Sequence, residues 1–181
     1  MSKPRIATTS LAGCFGCHMS LLDIDERILE LIDLVDFDRS PVDDIKHISQ
    51  RCAVGLVEGG CCNEENVNVL REFRANCDTL IAFGDCATMG GIPALRNNIP
   101  LEECVDEAYH DGVTVHNPER IVPDDPEIPL LLDKVYPCHE VVKIDYFLPG
   151  CPPSADTLWA ALTALLNGEP VELPYELLKY D

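Results

Sequence analysis

Nowhere in this chain do apolar residues run for the roughly 20 positions that a bilayer-spanning helix needs. The opening stretch, MSKPRIATTSLAG, holds neither a signal-peptide hydrophobic region nor a twin-arginine pair, so the chain is expected in the cytoplasm with no membrane partner. Positive charge is scarce: 13 Lys and Arg stand against 32 Asp and Glu, a formal net charge of −19. Nucleic acid and an anionic membrane surface would both repel such a chain, which argues against either as partner. Internal repeats, low-complexity segments and convincing linkers are missing too. Residues 1–181 are therefore expected to form a single domain with a substantial core. The 46% hydrophobic content is that of an ordinary globular protein.

Cysteine, by contrast, is abundant. Ten cysteines are many for a reducing compartment, where disulfides are rare. Some of them should bind metal, and the others should pack as small apolar residues.

The order of elements alternates strand and helix. Ile6 to Thr9 reads as a short strand entering a Gly-Cys loop. From Ser20 to about Val35 apolar residues recur at helical spacing (Leu21, Ile24, Ile28, Leu31, Ile32, Val35), with acidic residues between them. Val35 to Ser40 reads as a second strand closed by Pro41. CAVGLV (Cys52 to Val57) and TLIAF (Thr79 to Phe83) read as buried strands, and Asn63 to Asn76 as a helix between them. Val141 to Leu148 reads as a last strand, followed by a helix over Ser154 to Leu166 that Asn167-Gly168 stops. Residues 111–130, with four prolines, read as a long surface excursion. This alternation predicts an α/β fold, an open parallel sheet with helices on both faces joined by right-handed crossovers.

Cys14 and Cys17 follow the first strand, Cys86 follows TLIAF, and Cys151 follows the last strand. In an open parallel sheet the carboxyl ends share one edge, so these four thiols are expected to converge there. Glycines bracket each of them: Gly13 and Gly16, Gly84 with Gly90 and Gly91, and Gly150. Glycine allows close backbone approach to a bulky group. A Cys-x-x-Cys pair serves redox disulfides, zinc sites and iron–sulfur sites alike. Structural zinc more often uses two compact pairs, whereas one pair joined by two isolated cysteines suits a [4Fe–4S] cluster. Zinc and a dithiol stay open on spacing alone.

CFGC after the first strand, then VEGG, FGDCATMGG and LPGCPP, occur in an order that resembles the small subunits of [NiFe] hydrogenases. GCHMSLLDIDE and VYPCHEVVKIDYFLPGCPP are most similar to the cytoplasmic, NAD-reducing (bidirectional) type. The resemblance covers nearly the whole chain. It implies a flavodoxin-like fold and one proximal [4Fe–4S] cluster held by Cys14, Cys17, Cys86 and Cys151. It also implies a partner large subunit that cleaves H2 at nickel and iron, and a diaphorase with FMN and iron–sulfur clusters that reduces NAD. The chain would then be an electron relay inside a hydrogen:NAD oxidoreductase, with no catalytic residue of its own. Respiratory relatives continue into a region carrying two further clusters, which this sequence does not show. The cluster subunit of NADH:quinone oxidoreductase is a second relative, but it places adjacent cysteines after its first strand. Here the adjacent pair, Cys61-Cys62, follows CAVGLV.

Other residues carry two readings each. Glu58 either caps the Asn63 helix or bonds local backbone N–H groups, or else tunes the cluster, moves protons or ligates iron in one redox state. His18 is either solvated or bonded to a cluster sulfur or the large subunit. Cys61 and Cys62 are expected to be free thiols near the site, and Cys52, Cys77, Cys104 and Cys138 packing residues. An FMN-binding flavodoxin-like carrier is the rival function, although SLAGCFGC puts cysteines where a phosphate cradle would sit. FMN near the subunit interface stays open, as does a zinc-bearing scaffold.

Overall fold

The computed structural model describes residues 3–43 and 45–178. Strand β1 (Arg5–Ser10) leads into helix α1 (Gly16–Leu22), a turn, helix α2 (Arg27–Leu34) and the two-residue strand β2 (Asp36–Phe37). Strands β3 (Cys52–Glu58) and β4 (Cys61–Asn63) precede helix α3 (Glu64–Asn76), strand β5 (Cys77–Phe83) and helix α4 (Asp85–Met89). A 3-10 segment (Ile92–Asn98), helix α5 (Leu101–Asp106) and a π-helical turn (Glu107–Asp111) follow. Strand β6 (Leu131–Tyr136), helix α6 (Cys138–Val141), strand β7 (Tyr146–Leu148) and helix α7 (Ala155–Leu166) complete the core, with a 3-10 turn at Tyr175–Leu177.

Five parallel strands form one sheet in the order β2-β1-β3-β5-β7. Counted among themselves they run 2-1-3-4-5, the doubly wound flavodoxin order, and the order reverses between β1 and β3. The fold is α/β, as the alternation predicts. Successive side chains of each strand enter opposite layers. Ile6, Leu56, Ile81 and Phe83 pack with Leu21, Leu31, Leu158 and Leu162 on one face. Ala7, Val57, Leu80 and Ala82 pack with Leu70, Phe73 and Ala87 on the other. Burial on both faces explains why these strands are apolar without alternation.

Two residues read as the starts of helices are their caps. The Asn63 side chain accepts the Asn66 N–H at 2.8 Å to start α3, and Ser154 Oγ accepts the Thr157 N–H at 3.2 Å to start α7.

Three expectations need correction. The helix expected over Ser20 to Val35 is two helices, because Asp25 takes φ 59° and breaks the ladder. The apolar spacing survives the break, since Ile24 is still buried in the turn. The strand expected from Val35 to Ser40 pairs only at Asp36 and Phe37. Where a strand was expected from Val141 to Leu148, the helix α6 ends at Val141 and only Tyr146–Leu148 pair with β5. The sequence also gives no sign that β4 and β6 pair antiparallel, apart from the main sheet. Residues 112–130 carry neither helix nor strand, in keeping with an irregular excursion. Among the described residues no helix is long and apolar enough to cross a membrane.

Candidate metal centre

The carboxyl ends of β1, β3, β5 and β7 lie side by side, and the loops beyond them build one pocket. Gly13, Cys14, Phe15, Gly16 and Cys17 line it from β1, Glu58 and Gly59 from β3, Asp85 and Cys86 from β5, and Gly150, Cys151 and Pro152 from β7. All four thiols expected to converge do so. Cys14 and Cys151 are exposed, while Cys17 and Cys86 are half-buried.

Each loop is pinned by backbone bonds. Ala12 and Gly60 exchange N–H and carbonyl bonds at 2.9 Å each, and the Leu11 N–H donates to the Glu58 carbonyl at 2.9 Å. Gly59 has φ 83°, and a Cβ there would meet Leu11 C at 2.8 Å and Ala12 N at 2.9 Å. Phe15 sits in the left-handed region (φ 67°) and turns the chain so that α1 starts between the two cysteines. From β5, the Gly84 N–H donates to the Leu148 carbonyl at 2.8 Å and the Asp85 N–H to the Gly150 carbonyl at 2.9 Å. The Asp85 carboxylate accepts the Gly150 N–H at 2.8 Å.

The donor set fits an iron–sulfur cluster. A Cβ on Gly84 would run into Cys17 Sγ, and one on Gly91 would meet Cys86 Sγ at 3.0 Å, so glycines leave the sulfurs room. The pocket measures about 50 Å³. A single water-sized sphere needs only roughly 10–15 Å³. Among the described residues no three His, Cys, Asp or Glu side chains are placed to hold one metal ion. Four thiols carried by three loops line one space, a donor set that fits an iron–sulfur group. Electrostatics agree. Burial pushes the Cys17 thiol up strongly, and the Glu58 carboxylate with the Cys86 and Cys14 thiolates adds to this. Burial also raises Cys86, with Cys151 and Cys14 adding and a hydrogen bond from the Ile92 N–H opposing. Thiolates that disfavour one another this way need bound cationic metal to stay deprotonated together.

Glu58 is only 2% exposed and does not cap α3, which Asn63 caps itself. Its Oε1 accepts the Ser10 hydroxyl at 2.6 Å, and its Oε2 accepts the His18 backbone N–H at 2.9 Å. His18 Nδ1 lies 3.2 Å from the same oxygen, too poorly aligned for a hydrogen bond but close enough to pair if charged. Burial would raise the Glu58 pKa; the nearby His18 ring, the Ser10 hydroxyl and the His18 N–H outweigh it and hold it below the usual carboxylate value. His18 is not solvated. It is 0% exposed, stacked on Phe15 at 4.8 Å, edge-on to Phe83 at 5.3 Å, and its Nε2 lies 3.0 Å from Thr8 Oγ1.

The remaining cysteines stand outside the pocket lining. Burial raises the buried Cys61 thiol to about 12, and Cys62 Sγ contacts Asn66 Oδ1 at 3.3 Å. Cys138 is buried behind the pocket, its Sγ 3.4 Å from the Gly59 carbonyl. Cys52 and Cys77 face each other across β3 and β5 at the far end of the sheet, and Cys104 is half-buried on α5. Sequence reasoning missed Ser10 and Asp85 as parts of the site. Asp85 had a signal, its place beside Cys86 in FGDC; Ser10 had none.

Comparison with known proteins identifies the family. Residues 14–165 match the family model described as NADH ubiquinone oxidoreductase, 20 Kd subunit. The chain is 51% identical over 180 residues to the NAD-reducing hydrogenase HoxS subunit delta of Cupriavidus necator, covering 99% of this chain and 86% of that protein. It is 30% identical to an F420-non-reducing hydrogenase iron-sulfur subunit of Archaeoglobus profundus, over 91% of this chain but only 56% of that longer protein. Among solved structures, a chain of an NAD+-reducing [NiFe]-hydrogenase in the H2-reduced state superposes with a TM-score of 0.95 at 51% identity, covering 99% of both chains. A Ni-Fe-Se hydrogenase from Desulfomicrobium baculatum shares the fold at 19% identity, with a TM-score of 0.57 over 97% of this chain and 68% of that one. The chain thus belongs to the family of the NADH ubiquinone oxidoreductase 20 kDa subunit, where it stands with the small subunits of NAD-reducing [NiFe] hydrogenases.

Proposed function

We propose that Cys14, Cys17, Cys86 and Cys151 hold one [4Fe–4S] cluster. We further propose that the chain, as one iron–sulfur domain in the cytoplasm, relays electrons between a [NiFe] large subunit and a flavin- and iron–sulfur-containing diaphorase that reduces NAD. The observation that carries this is the meeting of four thiols from three separate strand ends in one glycine-walled pocket. When bound, such a cluster supplies one-electron chemistry at low potential, tuned by hydrogen bonds and burial.

This chain's own residues position and shield. The paired loops after β5 and β7 fix the spacing of Cys86 and Cys151. The Phe15–His18 stack seals the pocket floor against the core. Glu58 places a negative charge beside Cys17, which lowers the potential of whatever Cys17 ligates. The large subunit covers the open side, where Cys14 and Cys151 are exposed; Met89, Ile92 and Leu95, which follow Cys86 in the chain, are exposed apolar side chains as well.

The test is iron, acid-labile sulfide and flavin per chain in protein purified without oxygen together with its large subunit. About four iron and four sulfide assignable to this chain support the cluster, and Cys86→Ser and Cys151→Ser should each lose them. Zinc without sulfide would sink the relay. Flavin without iron would favour the FMN carrier, and flavin together with four iron would place FMN near the interface.

A further inference from the structure

Helix α2 has more apolar surface than the core uses. In RILELIDL only Leu31 is buried, while Leu29, Ile32 and Leu34 are 62%, 46% and 43% exposed. Leu22 on α1 and Val42 and Ile45 beyond β2 are exposed as well. Between these elements runs a groove of about 280 Å³, walled by Leu21, Leu22, Ile28, Ile32, Phe37 and Val42. Soluble chains seldom leave contiguous apolar surface without a use for it.

The surroundings of the groove say what fits. Asp23, Asp25, Glu26, Glu30, Asp33 and Asp36 are all exposed on the same stretch of chain. Among the described residues none of them is in an ion pair. Two cations lie on the same stretch and offset part of this charge: Arg27 pairs with Asp156 at 2.9 Å, and Lys3 Nζ donates to the Ile32 carbonyl on the groove wall at 2.7 Å. An apolar groove among carboxylates that outnumber the nearby cations is complementary to apolar side chains ringed by Lys and Arg.

Position says what the occupant does. Helix α1 connects the two sites directly, since Cys17 lies in its first turn and Leu21, four residues on, walls the groove. At 1.5 Å per residue that is about 6 Å along the helix axis. The groove and the cysteine pocket nevertheless share no lining residue, so a partner can occupy each.

We infer that this groove receives the electron-accepting subunit, through a segment with Leu-, Ile- or Val-type side chains inside a basic ring. The inference rests on the relay role above, in which one partner delivers electrons at the pocket mouth and another must approach from a second side.

The test uses the full complex with Ile32→Glu and, separately, Asp33→Lys, both at exposed positions remote from the thiols. H2-dependent reduction of a small viologen dye, which needs no docked subunit, is compared with H2-dependent reduction of NAD+. For Ile32→Glu, NAD+ reduction should fall at least tenfold with dye reduction unchanged, and the diaphorase should separate on gel filtration. Asp33→Lys should weaken NAD+ reduction at low salt and converge with wild type at high salt. Unchanged NAD+ reduction and co-elution in Ile32→Glu would overturn the inference. So would loss of the large subunit instead, or a change from dimer to monomer with NAD+ reduction kept. Failure of the relay itself would look different: the wild-type complex would lack four iron and four sulfide on this chain.

Discussion

Asp85 and Gly150 hold each other in both directions: the Asp85 carboxylate accepts the Gly150 N–H at 2.8 Å, and the Gly150 carbonyl accepts the Asp85 N–H at 2.9 Å. They are the residues immediately ahead of Cys86 and Cys151, so the pair sets the distance between two thiols that arise 65 positions apart. Asp85→Ala leaves the Gly150 N–H unpaired, at a cost of about 1–3 kcal/mol. Iron should then be lost to a chelator about tenfold faster or more, in the range seen when groups that orient metal ligands are removed. Asp85→Asn keeps an acceptor oxygen and should lose iron more slowly than the alanine variant. Equal rates in Asp85→Ala and wild type would show that the clamp is dispensable.

Gly84 cannot be replaced. Its φ of 86° disfavours any side chain by about 1–2 kcal/mol, and a Cβ would strike Cys17 Sγ. Gly84→Ala should lower the thermal midpoint by about 4 °C or more and deplete iron. Gly168→Ala is the control: its φ is 73°, but nothing lies within 4 Å of the added methyl. Its midpoint should fall less, and its iron content should stay at the wild-type level.

Glu58→Gln keeps one acceptor oxygen for the His18 N–H, its NH2 can donate to a Ser10 hydroxyl that turns to accept, and a buried negative charge beside Cys17 is removed. A unit charge about 4 Å away is worth about 1–4 kcal/mol between bulk water and a protein surface. The cluster potential should therefore rise, which a redox titration followed by electron paramagnetic resonance measures. An unchanged potential would mean that Glu58 serves packing alone.

Asp38, with a side chain only 1% exposed, ties the loop after β2. Its carboxylate accepts the Ser49 N–H at 2.9 Å, the Ser49 hydroxyl at 2.7 Å and Arg5 Nη1 at 3.2 Å. Burial alone would raise its pKa; Ser49 and Arg5 outweigh this and hold it below the usual value. A carboxyl with a lower pKa folded than unfolded adds stability above the unfolded pKa of about 3.9, and loses it as pH falls through the folded value. Asp38→Asn should cost about 1–3 kcal/mol in urea unfolding at pH 7, and the gap to wild type should close in acid. A pH-independent gap would contradict this assignment.

Much of the fold was legible because β3 and β5 carry the apolar runs CAVGLV and LIAF and because helix-forming stretches alternate with them. The break between α1 and α2 was hidden: Leu21, Ile24, Ile28 and Leu31 keep helical spacing while Asp25 alone turns the chain. The β4–β6 pairing was hidden too, since LLDKVY is half exposed and meets a strand some 70 positions earlier. At the site, the strand-end rule located Cys14, Cys17, Cys86 and Cys151 in one pocket, because topology alone brings such residues together. Ser10 and the Asp85–Gly150 pair depend on how two remote loops lie against each other, and local sequence does not carry that information.

The order of the strands also sets a timetable for making the protein. Cys151 is synthesised 134 positions after Cys17 (151 − 17), and at about 5–20 residues per second that is roughly 7–27 s of translation. From the synthesis of β5 until β7 follows, the edge that β7 later covers stays open at Ile81, Ala82 and Phe83, and Cys151 does not yet exist. A growing chain cannot be charged with its full complement of metal ligands as its first cysteines emerge. On the proposed ligand set, delivery of iron and sulfide would wait for ribosomal synthesis to pass Cys151, and cells that starve for either would accumulate complete but unloaded chains rather than stalled ones.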